Sequence, residues 1–266
     1  MNIIVCVKQV PNPEIPPSKF IVDTKAKRVI PPEGVPPVIN PFDEQAVEAA
    51  LKIKEQNGGH ITVISMGAAS ATDIVKHTLS MGADEGIILS DDAFEDSDSI
   101  STAYILTKAI EKIGAYDLIL CGRQAADWDA GQVGSIMAEK LRLPIITLAK
   151  KIEVIDNNLK VERVILDGYE VVEATSPALI TVSNEIGQAR LPTGRNIIFA
   201  AKKQIPIWNA GDIGCDASLV GSGAARSELL SLYVPSRERK GEIIQGESVA
   251  EAAANLALKL REIKAI

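Results

Sequence analysis

Apolar and polar positions fall into alternating blocks over the first 141 residues. Asn2-Ile3-Ile4-Val5-Cys6-Val7 is a short apolar run and predicts a buried strand. Lys8 to Pro37 is rich in proline and charge with little periodicity, and is expected as an insertion; Phe20 to Ile30 within it fits a hairpin. Asn40-Pro41 then opens a helix with proline at its first position. Ala46, Val47, Ala50, Leu51 and Ile53 give that helix its stripe, and Asn57-Gly58-Gly59 stops it. His60 to Met66 reads as a second strand, Ser70 to Met81 as a helix ended by Gly82, and Gly86 to Ser90 as a third strand. Ile100 to Ile113 is a third helix, with Gly114 behind it. Leu118 to Cys121, between Asp117 and Gly122, is a fourth strand. Gln132 to Leu141 follows as a helix on Val133, Ile136, Met137 and Leu141.

The pattern changes after Leu143-Pro144. Leu159 to Leu166 and Tyr169 to Ala174 alternate around Asp167-Gly168, a hairpin signal. Ala178 to Val182 is one more apolar strand. Periodicity weakens from Asn184 to Lys203, and 206–245 reads as an irregular arm without a convincing helix. Glu247 to Ile263 is a closing helix with Val249, Ala253, Leu256, Leu260 and Ile263 on one face. Strand and helix in strict alternation predict an α/β fold: a doubly wound, mostly parallel, Rossmann-like sheet with helices on both faces. The hairpin region, arm and closing helix are expected as additions. An α/β domain is expected over 1–183, and an arm with a closing helix over 184–266 that either meets a partner or packs on its own domain.

Composition narrows the classes. Of 266 residues, 46% are hydrophobic, enough for a full core. A formal net charge of −7 argues against nucleic-acid binding, which needs a basic surface. No apolar run reaches the ~20 residues of a membrane span, and the N-terminus lacks a signal-peptide pattern; a cytoplasmic protein is expected. Cys6, Cys121 and Cys215 are too few and too scattered for a disulfide framework or an iron–sulfur cluster held by this chain alone. His60 and His77 are the only histidines, so no metal site is expected. Redox chemistry here needs an organic cofactor.

The stretch from Asp117 to Leu141 carries the candidate chemistry. A strand that ends in a glycine-bearing loop and feeds a helix start offers unpaired amides and a positive dipole to an anion. Gly122 and Gly131 let backbone approach a phosphate, and Arg123 adds a cationic fork. There is no GxxxxGK[ST] and no GxGxxG, and the same residues also fit an ordinary turn with Asp129 as N-cap. In a doubly wound sheet, ligands sit beyond the carboxyl ends of the strands. Cys6, Met66 and the 122–131 loop lie at such ends, and the helix start at Asn40 is expected on the same crevice. Asn40 and Asp43 are candidate adenine or ribose contacts, with capping as the alternative. Asp127 and Asp129 suit ribose hydroxyls or a cap better than a phosphate, since like charges repel. Cys6 and Met66 fit the site wall and the core equally well.

These residues resemble the beta subunits of electron transfer flavoproteins, over nearly the whole chain. The resemblance rests on Val5-Cys6-Val7-Lys8-Gln9-Val10, Asn40-Pro41-Phe42, Ser80-Met81-Gly82-Ala83-Asp84, and above all Gly122-Arg123-Gln124-Ala125-Ala126-Asp127-Trp128-Asp129 through Gln132-Val133-Gly134. It implies a heterodimer with an alpha subunit that holds a mobile FAD. It also implies a second adenine nucleotide on this chain: AMP in simple members, a full FAD in electron-bifurcating ones. Arg123-Gln124-Ala125, Asp129, Gln132-Val133-Gly134 and the Gly34-Val35-Pro36-Pro37 segment are similar to the bifurcating branch. Gly194 stands where the AMP branch carries its docking leucine, and Gly194-Arg195-Asn196-Ile197 looks like the bifurcating relatives. Trp128 and Ala130-Gly131 depart from the usual bifurcating motif, which has a small residue and Thr-Ala there.

The resemblance assigns the cofactor-binding role to Cys6, Asn40, Pro41, Phe42, Asp43 and Met66, and to Gly122 through Gly134. That last run comprises Gly122, Arg123, Gln124, Ala125, Ala126, Asp127, Trp128, Asp129, Ala130, Gly131, Gln132, Val133 and Gly134. It implies a route in which NADH delivers a hydride to the beta-site FAD. One electron then passes through the alpha-subunit FAD to an acyl-CoA dehydrogenase or enoyl-CoA reductase, and the other to ferredoxin. No residue is expected as a general acid or base. Two other readings remain open: a non-bifurcating shuttle with structural AMP, and a nucleotide-binding sensor without a redox role.

Overall fold

The computed structural model describes residues 1–156, 158–235 and 241–266. Nine strands form one sheet: β1 (Asn2–Cys6), β2 (His60–Met66), β3 (Glu85–Leu89), β4 (Leu118–Gly122), β5 (Ile145–Ile155), β6 (Asn158–Ile165), β7 (Gly168–Thr175), β8 (Ala178–Val182) and β9 (Ile207–Trp208). Their order is β7-β6-β5-β8-β4-β1-β2-β3-β9. From β5 to β9 every neighbouring pair is parallel, while β6 pairs antiparallel with both β5 and β7. The mostly parallel Rossmann-like sheet expected from the alternation is present.

The apolar strand runs have a simple cause: both faces of the sheet are covered. On β1, Ile3 and Val5 point to one face, with α1 (Pro41–Asn57) and α2 (Thr72–Met81). Ile4 and Cys6 point to the other, with α3 (Ser99–Ile113) and α4 (Val133–Leu141). Leu118 and Leu120 against Ile119 and Cys121 repeat the division on β4. Ile3, Ile4, Leu118, Ile119 and Leu120 are all under 2% exposed. Burying each such side chain contributes about 1.5–3 kcal/mol, so these two central strands are the firmest part of the molecule. The helices stop where their glycines stand: Gly58, Gly82 and Gly114 all take positive φ after α1, α2 and α3. Asp98 caps α3 by accepting from the Ile100 and Ser101 amides.

Several elements differ from expectation. β5 is eleven residues long and has no counterpart in the sequence reading. Its alternation is broken at Leu148, which takes φ 60°, and both its partners shift register at Ala149. A helix, α5 (Gly194–Ala201), forms where periodicity was weak; Ile197, Ile198 and Phe199 are consecutive and mostly exposed, so no stripe signals it. The expected arm begins instead with β9 on the edge of the sheet and includes a short α6 (Gly221–Ala224). Residues 236–240 of that arm lie outside the described residues. The insertion after β1 does carry a hairpin, Ile21–Asp23 with Arg28–Ile30.

By internal contacts the chain divides into Met1–Leu232 and Tyr233–Ile266, whereas the division was expected after residue 183. The second unit contains α7 (Val249–Glu262), capped by Ser248, whose hydroxyl accepts from the Glu251 amide. None of the residues of α7 is buried. Among the described residues no helix is long and apolar enough to cross a membrane, and no group of three or more metal-ligating side chains is arranged for a metal.

Candidate nucleotide-binding site

The chain runs from β1 to β2 to β3 on one side of β1, then returns to place β4 on the other side. The switch point of this sheet therefore lies between β1 and β4, where crossovers leave in opposite directions and open a crevice at the carboxyl ends. Cys6 and Cys121 are direct neighbours there, and Gly122 ends β4. The loop 123–132 begins at this point.

The start of α1 fastens both sides of the crevice. Asp43 is buried, and its two carboxylate oxygens accept from the backbone on either side: Oδ1 from the Gly122 amide at 2.9 Å, Oδ2 from the Lys8 amide at 2.8 Å. Asn40 is fully buried, and its amide also donates to the Lys8 carbonyl at 2.8 Å. The Asn40 side chain reaches the loop: Nδ2 donates to the Gln124 carbonyl at 2.8 Å, and Oδ1 accepts from the Ala126 amide at 3.0 Å. Both residues were candidates for adenine or ribose contacts or for capping. The structure engages every side-chain polar atom of the pair with backbone of the two loops, and Asn40 makes no side-chain cap. Pro41 is the first residue of α1, as its fixed φ favours.

Glycine is required at 122 by this close approach. A Cβ there would lie 2.5 Å from Asp43 Oδ1 and 2.7 and 2.8 Å from Phe42 Cβ and backbone C. At Gly134, in the first turn of α4, it would lie 2.9 Å from both Cys121 Sγ and Thr181 Cγ2. The loop between them is bonded to itself. The Ala125 carbonyl accepts from the amides of Trp128 at 3.4 Å and Asp129 at 2.9 Å. Asp129 adopts φ 51°, a left-handed conformation that aspartate tolerates, and its Oδ1 accepts from Gln124 Nε2 at 2.7 Å. Asp129 is therefore not the helix cap of the alternative reading. Gln132 holds that position and no side chain caps α4. Among the described residues no side chain covers the positive end of α4, which lies beside the exposed Ala130 and Gly131. Trp128 is 57% exposed on the same loop.

Arg123 stands between β4 and β8. Its amide donates to the Val182 carbonyl at 2.9 Å. Its Nη1 finds Ser183 Oγ and Asn184 Oδ1 only at 3.5 Å, and its Nε is buried without a partner among the described residues. The guanidinium carbon lies 5.6 Å from the Phe42 ring centre. A cation so poorly satisfied by its own chain has capacity left for an anion.

The wall residues are quieter. Cys6 and Cys121 pack in the core with Ile119 and Met137, and Met66 packs half-buried against the same cluster. Burial holds both thiols well above the usual thiol range, so they are neutral wall groups rather than nucleophiles. Burial also pushes the Asp43 carboxyl up to about 7, against the hydrogen bonds that pull it down. An acid with a raised folded-state pKa stabilises the fold in its protonated form. That contribution is complete below the unfolded value near 3.8 and is lost as pH rises through about 7. Relative to Asp43→Asn, which does not titrate, the wild type is expected to lose stability on the order of 4 kcal/mol between pH 4 and pH 7.5, at 1.36 kcal/mol per unit. Urea unfolding at half-unit pH steps measures this; a difference that stays flat with pH contradicts it.

Two residues of this site were missed from sequence. Lys8 pairs with Asp127, its Nζ at 2.9 and 2.7 Å from Oδ1 and Oδ2. A lysine two residues beyond the first strand of a doubly wound sheet was the available signal. Ser183, just past β8, had none beyond its place at a strand end.

Comparison with known proteins agrees with this architecture. The electron transfer flavoprotein domain matches residues 28–213. The chain is 41% identical to the electron transfer flavoprotein subunit beta of Thermoanaerobacterium thermosaccharolyticum, over 98% of both chains. It is 39% identical to the caffeyl-CoA reductase-Etf complex subunit CarD of Acetobacterium woodii, again over 98% of both. It is 38% identical to the electron transfer flavoprotein subunit beta of Clostridium acetobutylicum, over 98% of both. With similarity over 98% of its length to such subunits, the chain belongs to the electron transfer flavoprotein family, among its beta subunits.

Proposed function

We propose that this chain holds an FAD at the crevice between β1 and β4. Paired with an alpha subunit in a cytoplasmic heterodimer, it passes electrons from NADH to an acyl-CoA dehydrogenase or enoyl-CoA reductase and, by bifurcation, to ferredoxin. The observation that carries the nucleotide reading is the loop 123–132. Asn40 holds it at Gln124 and Ala126 and Asp43 holds the preceding Gly122, yet among the described residues Arg123 Nε has no partner and no side chain caps α4. Those groups fit the diphosphate of an adenine dinucleotide. Gly122 and Gly131 keep the loop backbone low enough for close approach. When bound, the flavin supplies the electron-carrying chemistry; the chain supplies position and field. Arg123 balances phosphate charge, and Asn40 and Asp43 hold the loop in shape.

The choice of FAD is supported by the Arg123 to Gly134 motif, similar to the bifurcating branch. The CoA-linked partner is supported by CarD, a subunit of a caffeyl-CoA reductase-Etf complex. In this reading residues 1–183 hold the nucleotide and 184–266 meet the partners. Trp128 and Ala130-Gly131 favour a second reading, AMP in a simple shuttle, because they depart from that motif. Anaerobic assay of the complex distinguishes the two. Ferredoxin reduction by NADH that requires the enoyl-CoA substrate is the expected result. Electron delivery to the CoA partner with no ferredoxin reduced would favour the shuttle.

A further inference from the structure

Lys8 is held in an unusual way for an exposed lysine. Its amide donates to Asp43 Oδ2 and its carbonyl accepts from the Asn40 amide, so the start of α1 fixes its backbone on both sides. Only the side chain is free to move. That side chain leaves the loop after β1 and reaches Asp127 in the loop after β4, with Nζ 2.7 and 2.9 Å from the two oxygens. The ion pair thus joins the two strand ends that flank the switch point. Of the positive groups bordering this crevice, Arg123 and the start of α4 have open capacity, while Lys8 is taken by a carboxylate.

A carboxylate on an ammonium occupies the same donors that a phosphate oxygen would. The Lys8 side chain is 42% exposed and that of Asp127 17%, so water reaches the pair from the lysine side and its net contribution is small. An incoming phosphate repels Asp127 and attracts Lys8, so exchange is favoured in one direction. We infer that Lys8 is a phosphate-binding residue of this site and that Asp127 occupies its ammonium until a nucleotide phosphate displaces it. The pair thereby selects phosphorylated nucleotides over nucleosides. This inference rests on the nucleotide reading above. It gives Asp127 a placeholder role, distinct from a ribose contact, and gives Asn40 and Asp43 the task of presenting Lys8.

The test uses the complex of this chain with its alpha subunit, freed of nucleotide, titrated calorimetrically with ADP and with adenosine. Only this chain is varied, so differences between variants report this site. Lys8→Met is expected to weaken ADP about tenfold or more, the loss of a hydrogen bond to a charged group, with adenosine changed less than about twofold. Asp127→Asn is expected to tighten ADP about two- to fivefold, the release of an exposed ion pair. In the Lys8→Met background, Asp127→Asn is expected to give no tightening. Lys8→Arg, which keeps the cation, serves if Lys8→Met does not fold; there ADP binding persists and Asp127→Asn again tightens it. ADP and adenosine weakened alike by Lys8→Met, or ADP weakened by Asp127→Asn, would overturn the inference while leaving the nucleotide site intact. A wild-type complex that binds neither ligand would overturn the nucleotide reading, and this inference with it.

Discussion

Gly122→Ala is expected to empty the proposed nucleotide site and to destabilise the chain by about 1–3 kcal/mol, the range for overpacking a tight contact. The added methyl meets atoms that cannot turn aside. Phe42 Cβ at 2.7 Å and Phe42 backbone carbon at 2.8 Å belong to the first turn of α1, and Asp43 Oδ1 at 2.5 Å is the acceptor of the Gly122 amide itself. Relief requires β4 and α1 to separate. That separation stretches the Asp43 bonds to Gly122 and Lys8, and with them the Asn40 bonds that shape 124–126. Loss of the loop shape is what removes the ligand. Gly223→Ala is the control, since a Cβ there meets nothing within 4 Å. Urea unfolding and nucleotide content of the two variants measure the effect. Gly122→Ala with wild-type stability and full nucleotide would show that the close approach does not govern the site.

Arg190→Met is expected to cost about 2–4 kcal/mol, because it strands a buried charge. Glu48 is 5% exposed and accepts from the Arg190 amide at 3.2 Å, Nε at 2.7 Å and Nη2 at 3.1 Å. Arg190 also bonds Glu55, two turns further along the same face of α1. Without the guanidinium, Glu48 keeps the backbone amide of residue 190 at 3.2 Å and Lys52 at 3.9 Å. The double variant Arg190→Met/Glu48→Met removes both charges and is expected to recover most of the loss, as replacing both members of a buried pair by apolar groups is often nearly neutral. A single variant as stable as the wild type, or a double variant worse than the single, would contradict this account. The pair ties the segment after β8 to the middle of α1, while the N-terminus of α1 holds the 123–132 loop. One helix therefore positions both features.

What the sequence revealed depended on distance along the chain. β1 to β4 and their helices were legible because each strand is apolar on both faces, each helix has its own stripe, and Gly58, Gly82 and Gly114 mark the ends. The side of the sheet that carries the crevice followed, since ligands of such folds sit at the carboxyl ends of the strands, but its place between β1 and β4 needed the strand order. β5 was not legible, because Leu148 breaks the alternation where the strand passes from parallel to antiparallel neighbours. β9 has only two residues and is defined by the edge of β3. The roles of Asn40 and Asp43 were read as local, a cap or a ligand contact, yet their partners lie 79 to 86 residues away in the loop and, for Asp43, 35 residues back at Lys8. The Lys8–Asp127 pair spans 119 residues. Such contacts have no periodic signature. Asp129 illustrates the reverse case: a sound local reading as cap fails because Gln124, five residues back, takes its carboxylate.

The proposed seat for FAD lies between β1 and β4. The measurement that tests it most directly is the nucleotide content of the chain co-purified with its alpha subunit: denature the complex, then quantify FAD and AMP against protein. Two FAD per heterodimer and no AMP is the result predicted here, with the second FAD lost on Gly122→Ala. One FAD together with one AMP would contradict it and leave a simple shuttle, and no adenine nucleotide beyond the alpha-subunit flavin would contradict the site itself.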